Sequence, residues 1–404
     1  MRERRGRFRW AWTPVVAGLP ALLALTAAAA LVVLALPGGS ALAQDPQPPA
    51  DPEPYFGYNE DWATHFDRLD LAALGGADVS RAVISWRAIE PRRGELFWEP
   101  YDRLYARMLE TGTRPLWVLA DAPCWAWATR TRRCRERDEV GRPPRRSHDD
   151  EWAQFAAAVV QRYPEAVAIE TWNEPNLDNF WRPRPDPARA AAVTAAANLG
   201  VKSVDPEMPV VLGGLSPLYE TIPEKGEIAY DEFIREAYAA AAPGSWDAVA
   251  MHPFPRFKSG DAYLADVLEH LDAVRAALVD SKAAGTPIWV TEIGLSTGGP
   301  FPHSRRAQAR GLKRIYKALA EMPDVPAVIV HRLVDLSPTV TTAEAGWGVI
   351  GYDGRLKPAY CALARVRGLP CPTAPPRVGG SVQRPGQPAA RSSARPSSRL
   401  TTGK

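Results

Sequence analysis

Two glutamates have the type and setting to do chemistry. Glu174 sits near the end of the run Ala168-Ile169-Glu170-Thr171-Trp172-Asn173-Glu174-Pro175-Asn176, and Glu292 in Ile288-Trp289-Val290-Thr291-Glu292-Ile293-Gly294. A carboxylic acid can hand a proton to a leaving oxygen while a carboxylate attacks the carbon it leaves. Two carboxyl groups that face each other are therefore what cleavage of a glycosidic bond requires. A single glutamate after a strand is ordinarily a solvated rim charge, so the argument rests on finding two in matched positions. Arg81 lies inside another apolar run, where its guanidinium would keep a neighbouring carboxylate ionised, the bland alternative being a snorkelling side chain. His252, in Met251-His252-Pro253-Phe254, follows a further run of the same kind. Trp125, Trp127, Trp181 and Trp347 fall in loop segments and offer flat faces to sugar rings. About two of the four are expected to touch a substrate.

Such a pair works only if the fold brings both chain segments to one place. Between about residues 54 and 369, short β-rich runs alternate with longer helical patterns, the signature of parallel βαβ units. Strands are expected at 55–58, 79–86, 114–120, 166–172, 209–213, 246–251, 287–291 and 327–331. Helices are expected at 98–110, 149–162, 186–204, 230–241, 262–283, 304–321 and 357–367. Strand interiors such as VLGGL, DAVAM, PIWVT and PAVIV are continuously apolar, as when both faces are covered. Eight βα units indicate the α/β class and a (β/α)8 TIM barrel rather than an open sheet with a glycine-rich first turn. The polar and aromatic residues cluster just after the runs, on the face where this fold builds its sites. Glu174 then ends strand four and Glu292 strand seven.

With these motifs in place, the chain resembles clan A retaining glycoside hydrolases, of the cellulase-like and family 39 β-xylosidase-like kinds. The resemblance covers 55–369 and is carried by T-W-N-E-P-N, within Glu170 to Asn176, and by V-T-E-I-G at Val290 to Gly294. It implies Glu174 as general acid/base, Glu292 as nucleophile, Asn173 as partner of the sugar 2-hydroxyl and Arg81 as support for the nucleophile. His252 matches a His-Pro-Tyr type segment, and Trp86 to Pro91 with Gly94 a W-x-x-I-E-P-x-x-G loop in which Glu90 braces rather than reacts. Retention of anomeric configuration also follows from the resemblance. Two departures are visible: Phe254 stands where a tyrosine hydroxyl would orient the nucleophile, and strand eight ends His331-Arg332-Leu333 without the usual tryptophan.

The bulk properties agree with a carbohydrate partner and no cofactor. The net charge of +3 is carried by the ends: five arginines against Glu3 in 1–43, and five arginines with Lys404 in 372–404. The body between is acidic, which argues against nucleic acid. Residues 1–43 read as a signal peptide, with a basic start, an apolar run from Val15 to Leu36 and the A-x-A pattern Ala41-Leu42-Ala43. An uncleaved membrane anchor is the competing reading. Residues 44–53 would be a short linker, 54–371 the catalytic domain and 372–404 a disordered Pro/Ser/Arg-rich tail. A secreted or cell-surface monomer is expected. Cys124 with Cys134 and Cys361 with Cys371 suit two local disulfides in an oxidising compartment, or else four free thiols. No C-x-x-C or H-E-x-x-H spacing suggests a metal site. A Ser-His-Asp hydrolase is set aside for want of a G-x-S-x-G nucleophile elbow. A catalytically weak sugar-binding barrel and a transglycosylase remain as alternatives.

Overall fold

In the computed structural model, which describes residues 53–62, 66–127, 140–256 and 262–372, every expected run becomes a strand. They are β1 (Tyr55–Asn59), β2 (Val79–Ser85), β3 (Arg114–Ala120), β4 (Ala168–Asn173), β5 (Val210–Leu215), β6 (Ala248–Met251), β7 (Ile288–Ile293) and β8 (Ala327–His331). Each pairs in parallel with the next, and β8 closes onto β1, giving a closed (β/α)8 barrel. The proposed leader 1–43, most of the linker and nearly all of the tail 372–404 lie outside the described residues.

The expected helices form as α3 (Glu99–Thr111), α5 (Asp149–Arg162), α6 (Pro187–Val204), α7 (Tyr230–Ala240), α8 (Ala262–Asp280), α9 (Arg305–Ala320) and α10 (Pro358–Val366). Their starts obey local rules. Asp186 caps α6 by accepting from the Arg189 amide at 2.9 Å, with Pro187 at the first position where its missing N–H costs nothing. Ser304 does the same for α9 through Ala307. Three short helices were not expected: α1 (Leu69–Leu74), α2 (Trp86–Ile89) and α4 (Cys124–Trp127). Each is too short to show a helical period. Among the described residues no helix is long and apolar enough to cross a membrane.

The core has two parts. Inside the barrel, Val79, Leu116, Ala168, Val211, Ala248, Trp289, Ala327 and Ile329 form an apolar plug. Outside it, the helices bury a larger cluster against the opposite faces of the same strands. The plug fills the lower barrel, so polar side chains projecting inward near the strand ends have no room to sink and must gather at the C-terminal mouth. The Cys361–Cys371 disulfide ties the first turn of α10 to the chain beyond its end. The expected Cys124–Cys134 bridge involves Cys134, which lies outside the described residues.

Candidate active site

Arg81 is the hub of the mouth. It faces inward from the middle of β2 and is only 1% exposed. Its Nε and Nη2 donate to the two oxygens of Glu170, each at 2.9 Å, in the paired geometry that suits a guanidinium to a carboxylate. Its Nη1 donates to Glu292 Oε1 at 2.7 Å and its Nη2 also to Asn173 Oδ1 at 2.9 Å. Three residues from β4 and β7 are thus locked by one cation from β2. Burial opposes the charge on Arg81, but the carboxylates of Glu170, Glu292 and Glu174 outweigh it and raise its pKa. The snorkelling alternative does not describe this side chain.

Glu292 is held by more than Arg81. Asn59, the last residue of β1, donates its Nδ2 to Glu292 Oε1 at 2.8 Å. His331, the last residue of β8, places Nδ1 3.3 Å from Glu292 Oε2. His252 Nδ1 is 3.9 Å from the same oxygen. Burial on its own would raise the Glu292 pKa, yet the electrostatic influence of His252, His331 and Arg81, with the Arg81 hydrogen bond, brings it down to about 2. Glu292 is therefore an ionised carboxylate across the ordinary pH range.

Glu174 approaches from the other side. Its amide donates to Gly214 O on β5 at 2.8 Å, and its backbone has φ 43°, with Trp172 two residues earlier at φ 75°. Two non-glycine residues in the left-handed region at one strand end mark a backbone held in a costly shape, which is common at functional sites. The result sets Glu174 Oε1 3.0 Å from His252 Nδ1. One imidazole nitrogen thus lies close to both glutamates. The other ring nitrogen, Nε2, is 3.2 Å from Thr291 Oγ1, and that hydroxyl donates to Glu170 at 3.3 Å. Gly214 makes room for the ring: a Cβ there would stand 2.0 Å from His252 Nε2.

A cavity of about 850 Å³ opens beside these groups, with Asn59, Arg81, Asn173, Glu292, His331 and Trp172 among its walls. That volume accommodates a sugar and part of what is attached to it. The tryptophans divide. Trp347 is half-buried against Phe254, ring centroids 4.9 Å apart, with His331 at 6.1 Å, and does not line the cavity. Trp181 is 2% exposed beneath Trp172 and does not line the cavity; Trp172, not singled out from sequence, does. Trp125 donates its Nε1 to Glu90 O and packs edge-on to Trp86, also away from the cavity wall. Trp127 is buried under the Arg142 guanidinium. Glu90 accepts from Trp86 Nε1 and the Gly94 amide at 2.8 and 2.7 Å, the bracing role expected of it.

Sequence reasoning missed Asn59, Glu170, Thr291 and His331 as members of the network. The available signal was a polar residue at a strand end or inside an apolar strand, which Glu170 and Thr291 both are. Contrary to expectation, the spacing G-x-S-x-G does occur, at Gly294-Leu295-Ser296-Thr297-Gly298. Ser296 is nevertheless buried, donates to Ala343 O at 2.7 Å and accepts from the Gly298 amide. It lies in the irregular loop between β7 and α9, well short of the helix start rather than on a tight strand-to-helix elbow, so it is a loop staple and not a nucleophile.

Fold and site together define a class of protein: a (β/α)8 barrel whose mouth gathers carboxyl groups from the ends of β4 and β7 around a buried arginine. Comparison with known proteins leads to the same place. No protein-family profile matches the chain. Among curated proteins it is similar to a beta-xylosidase of Geobacillus stearothermophilus, 25% identical over 248 residues, which span 53% of this chain and 45% of that protein. The chain thus spans less than half the length of that relative. Among solved structures it is similar to a family 39 glycoside hydrolase from the gut symbiont Bacteroides cellulosilyticus WH2, with TM-score 0.59, 20% identity and coverage of 78% of this chain and 64% of the other. A monomeric beta-xylosidase from Caulobacter crescentus CB15 gives TM-score 0.56 at 19% identity, covering 80% and 70%. A GH5_18 protein from Streptomyces cattleya in complex with GlcNAc gives 0.57 at 19%, covering 81% and 83%. These structural similarities establish the barrel fold. The proteins concerned are the kinds that the T-W-N-E-P-N and V-T-E-I-G motifs resemble.

Proposed function

We propose that the chain is a retaining glycoside hydrolase acting on O-glycosidic bonds of a poly- or oligosaccharide, with Glu292 as nucleophile and Glu174 as general acid/base. The observation that carries the proposal is the pair itself: a carboxylate held ionised by Arg81, and a second carboxyl group from β4 that shares an imidazole neighbour with it. In the first step Glu174 gives its proton to the glycosidic oxygen as that bond to the anomeric carbon breaks. Glu292 Oε attacks the same carbon from the opposite face and forms a glycosyl ester. In the second step Glu174, now ionised, takes a proton from water as its oxygen attacks the anomeric carbon and Glu292 leaves. Retaining enzymes keep their carboxyls about 5–5.5 Å apart and inverting ones about 6.5–9.5 Å. Distances of 3.0 and 3.9 Å from one nitrogen favour the closer arrangement. Asn173, its carbonyl oxygen fixed by Arg81, is the group for the sugar 2-hydroxyl, and Trp172 is the aromatic surface beside the ring. We further propose that the protein is exported, for which the leader pattern and the Cys361–Cys371 disulfide are the support.

The test separates the two glutamates. With an activated aryl glycoside, Glu174→Ala should show a burst and slow turnover, and azide should speed it and appear in a product of unchanged anomeric configuration. Glu292→Ala should form no trapped ester with a fluorinated glycoside, and azide rescue there should give the inverted product. Swapped outcomes would reverse the roles. Absence of turnover by the wild type across a broad glycoside panel would leave a sugar-binding barrel.

A further inference from the structure

The resemblance leaves a gap at the nucleophile, because Phe254 offers no hydroxyl to hold it. The structure shows what occupies the space. The Phe254 ring lies 5.8 Å from the His331 ring and 4.9 Å from Trp347, an aromatic wall around the imidazole. Within that wall His331 Nδ1 reaches Glu292 Oε2 at 3.3 Å and Asn59 Nδ2 at 3.1 Å, while Asn59 Nδ2 also donates to Glu292 Oε1 at 2.8 Å. One nitrogen faces both an acceptor and a donor and can satisfy only one of them. Glu292 carries the charge, and a charge-assisted bond is about twice as strong as a neutral one.

We propose that His331 and Asn59 together replace the missing tyrosine as the positioning pair of the nucleophile, His331 carrying its proton on Nδ1 and donating it to Glu292 Oε2. The mechanistic role rests on the reading of Glu292 as nucleophile; the protonation of His331 does not. With Arg81 and Asn59 on Oε1 and His331 on Oε2, the carboxylate is gripped at both oxygens and cannot rotate about its Cγ–Cδ bond. Rotation would turn the attacking lone pair away from the anomeric carbon, which is how near-attack geometry is lost. The charged or titratable groups around Glu292 are Arg81 from β2, His252 after β6 and His331 from β8, with Glu174 after β4 beyond His252. His252 is engaged by Glu174 and Thr291, so His331 is the imidazole left to Oε2.

The experiment has two readouts. The chain has six histidines, so ¹⁵N-histidine labelling gives a tractable spectrum in which His331 is assigned by its loss in His331→Gln. At neutral pH the full-length protein should show a proton on His331 Nδ1, and Glu292→Ala should weaken or abolish that preference. A neutral ring protonated on Nε2 in the wild type overturns the proposal whether or not the protein turns over a substrate. In kinetics, His331→Phe should lower kcat/KM with an aryl glycoside about 10- to 100-fold, the range for losing a hydrogen bond to a charged group. It should also move the acid limb of the pH profile upward, because Glu292 has lost a donor to its charged form. His331→Gln, which keeps an N–H, should recover part of both. A folded His331→Phe whose acid limb stays in place, or a Gln variant no better than Phe, overturns the positioning role. Failure of the wild type on every glycoside strikes instead at the proposed hydrolase, and the spectrum still decides where the proton sits.

Discussion

Replacing Arg81 by methionine should separate what the hub does for stability from what it does for chemistry. Arg81 and Glu170 are both fully buried, and Arg81 supplies two of the hydrogen bonds that hold Glu170, the others coming from the Gly214 amide and Thr291. Removing one partner of a buried ion pair leaves an uncompensated charge and costs about 3–5 kcal/mol. For a barrel of this size that corresponds to a fall in Tm of roughly 4–8 °C. Glu292 would also lose its 2.7 Å donor, so its pKa should climb and kcat/KM should fall by at least about 100-fold. The double variant Arg81→Met with Glu170→Gln removes the orphaned charge as well as the cation. It should regain most of the lost Tm and little of the lost activity, since Glu292 is still without its arginine. Calorimetry and aryl-glycoside kinetics on the wild type, both single variants and the double variant close the cycle. Additive Tm losses, or an Arg81→Met protein that melts with the wild type, would refute the hub.

Three further outcomes are expected. Because the folded pKa of Glu292 is depressed from 4.5 to about 2, its contribution to stability is present above the higher value and lost as pH falls through the lower one; urea unfolding of Glu292→Gln should therefore depend less on pH across that window than the wild type does. Gly214→Ala would set a Cβ 2.0 Å from His252 Nε2, so it should cost about 1–3 kcal/mol and lower kcat together, whereas unchanged kinetics would mean that the ring can move freely. Reducing Cys361–Cys371, or replacing both with serine, should cost about 2–3 kcal/mol for a loop this short, measured by thermal unfolding with and without reductant.

Much of this architecture is legible in the sequence. Continuous apolar runs alternating with helical periods define parallel strands, and right-handed βαβ connections carry every parallel strand in the same direction. Glu174 and Glu292 therefore had to meet at one end of the barrel, and each observed strand boundary falls within two residues of its expected place. What the pattern could not settle was which side chains at that end turn inward. Strand alternation predicts direction only until the register shifts, and β7 shifts against β8 between Val290 and Ile293, as β5 does against β6 between Leu212 and Gly214. The first irregularity lets consecutive residues Thr291 and Glu292 both join the network; the second sets Gly214 under His252. The tryptophans show the same limit, since Trp181 and Trp125 turn to packing partners while Trp172 lines the cavity, a choice made by neighbours far away in sequence. Asn59 and His331 are ordinary strand-end residues until β8 closes onto β1 and makes them neighbours, 272 positions apart in the chain. Local pattern determined the strands and their order; closure of the barrel decided which polar groups share its mouth, because only there do the first and last strands touch.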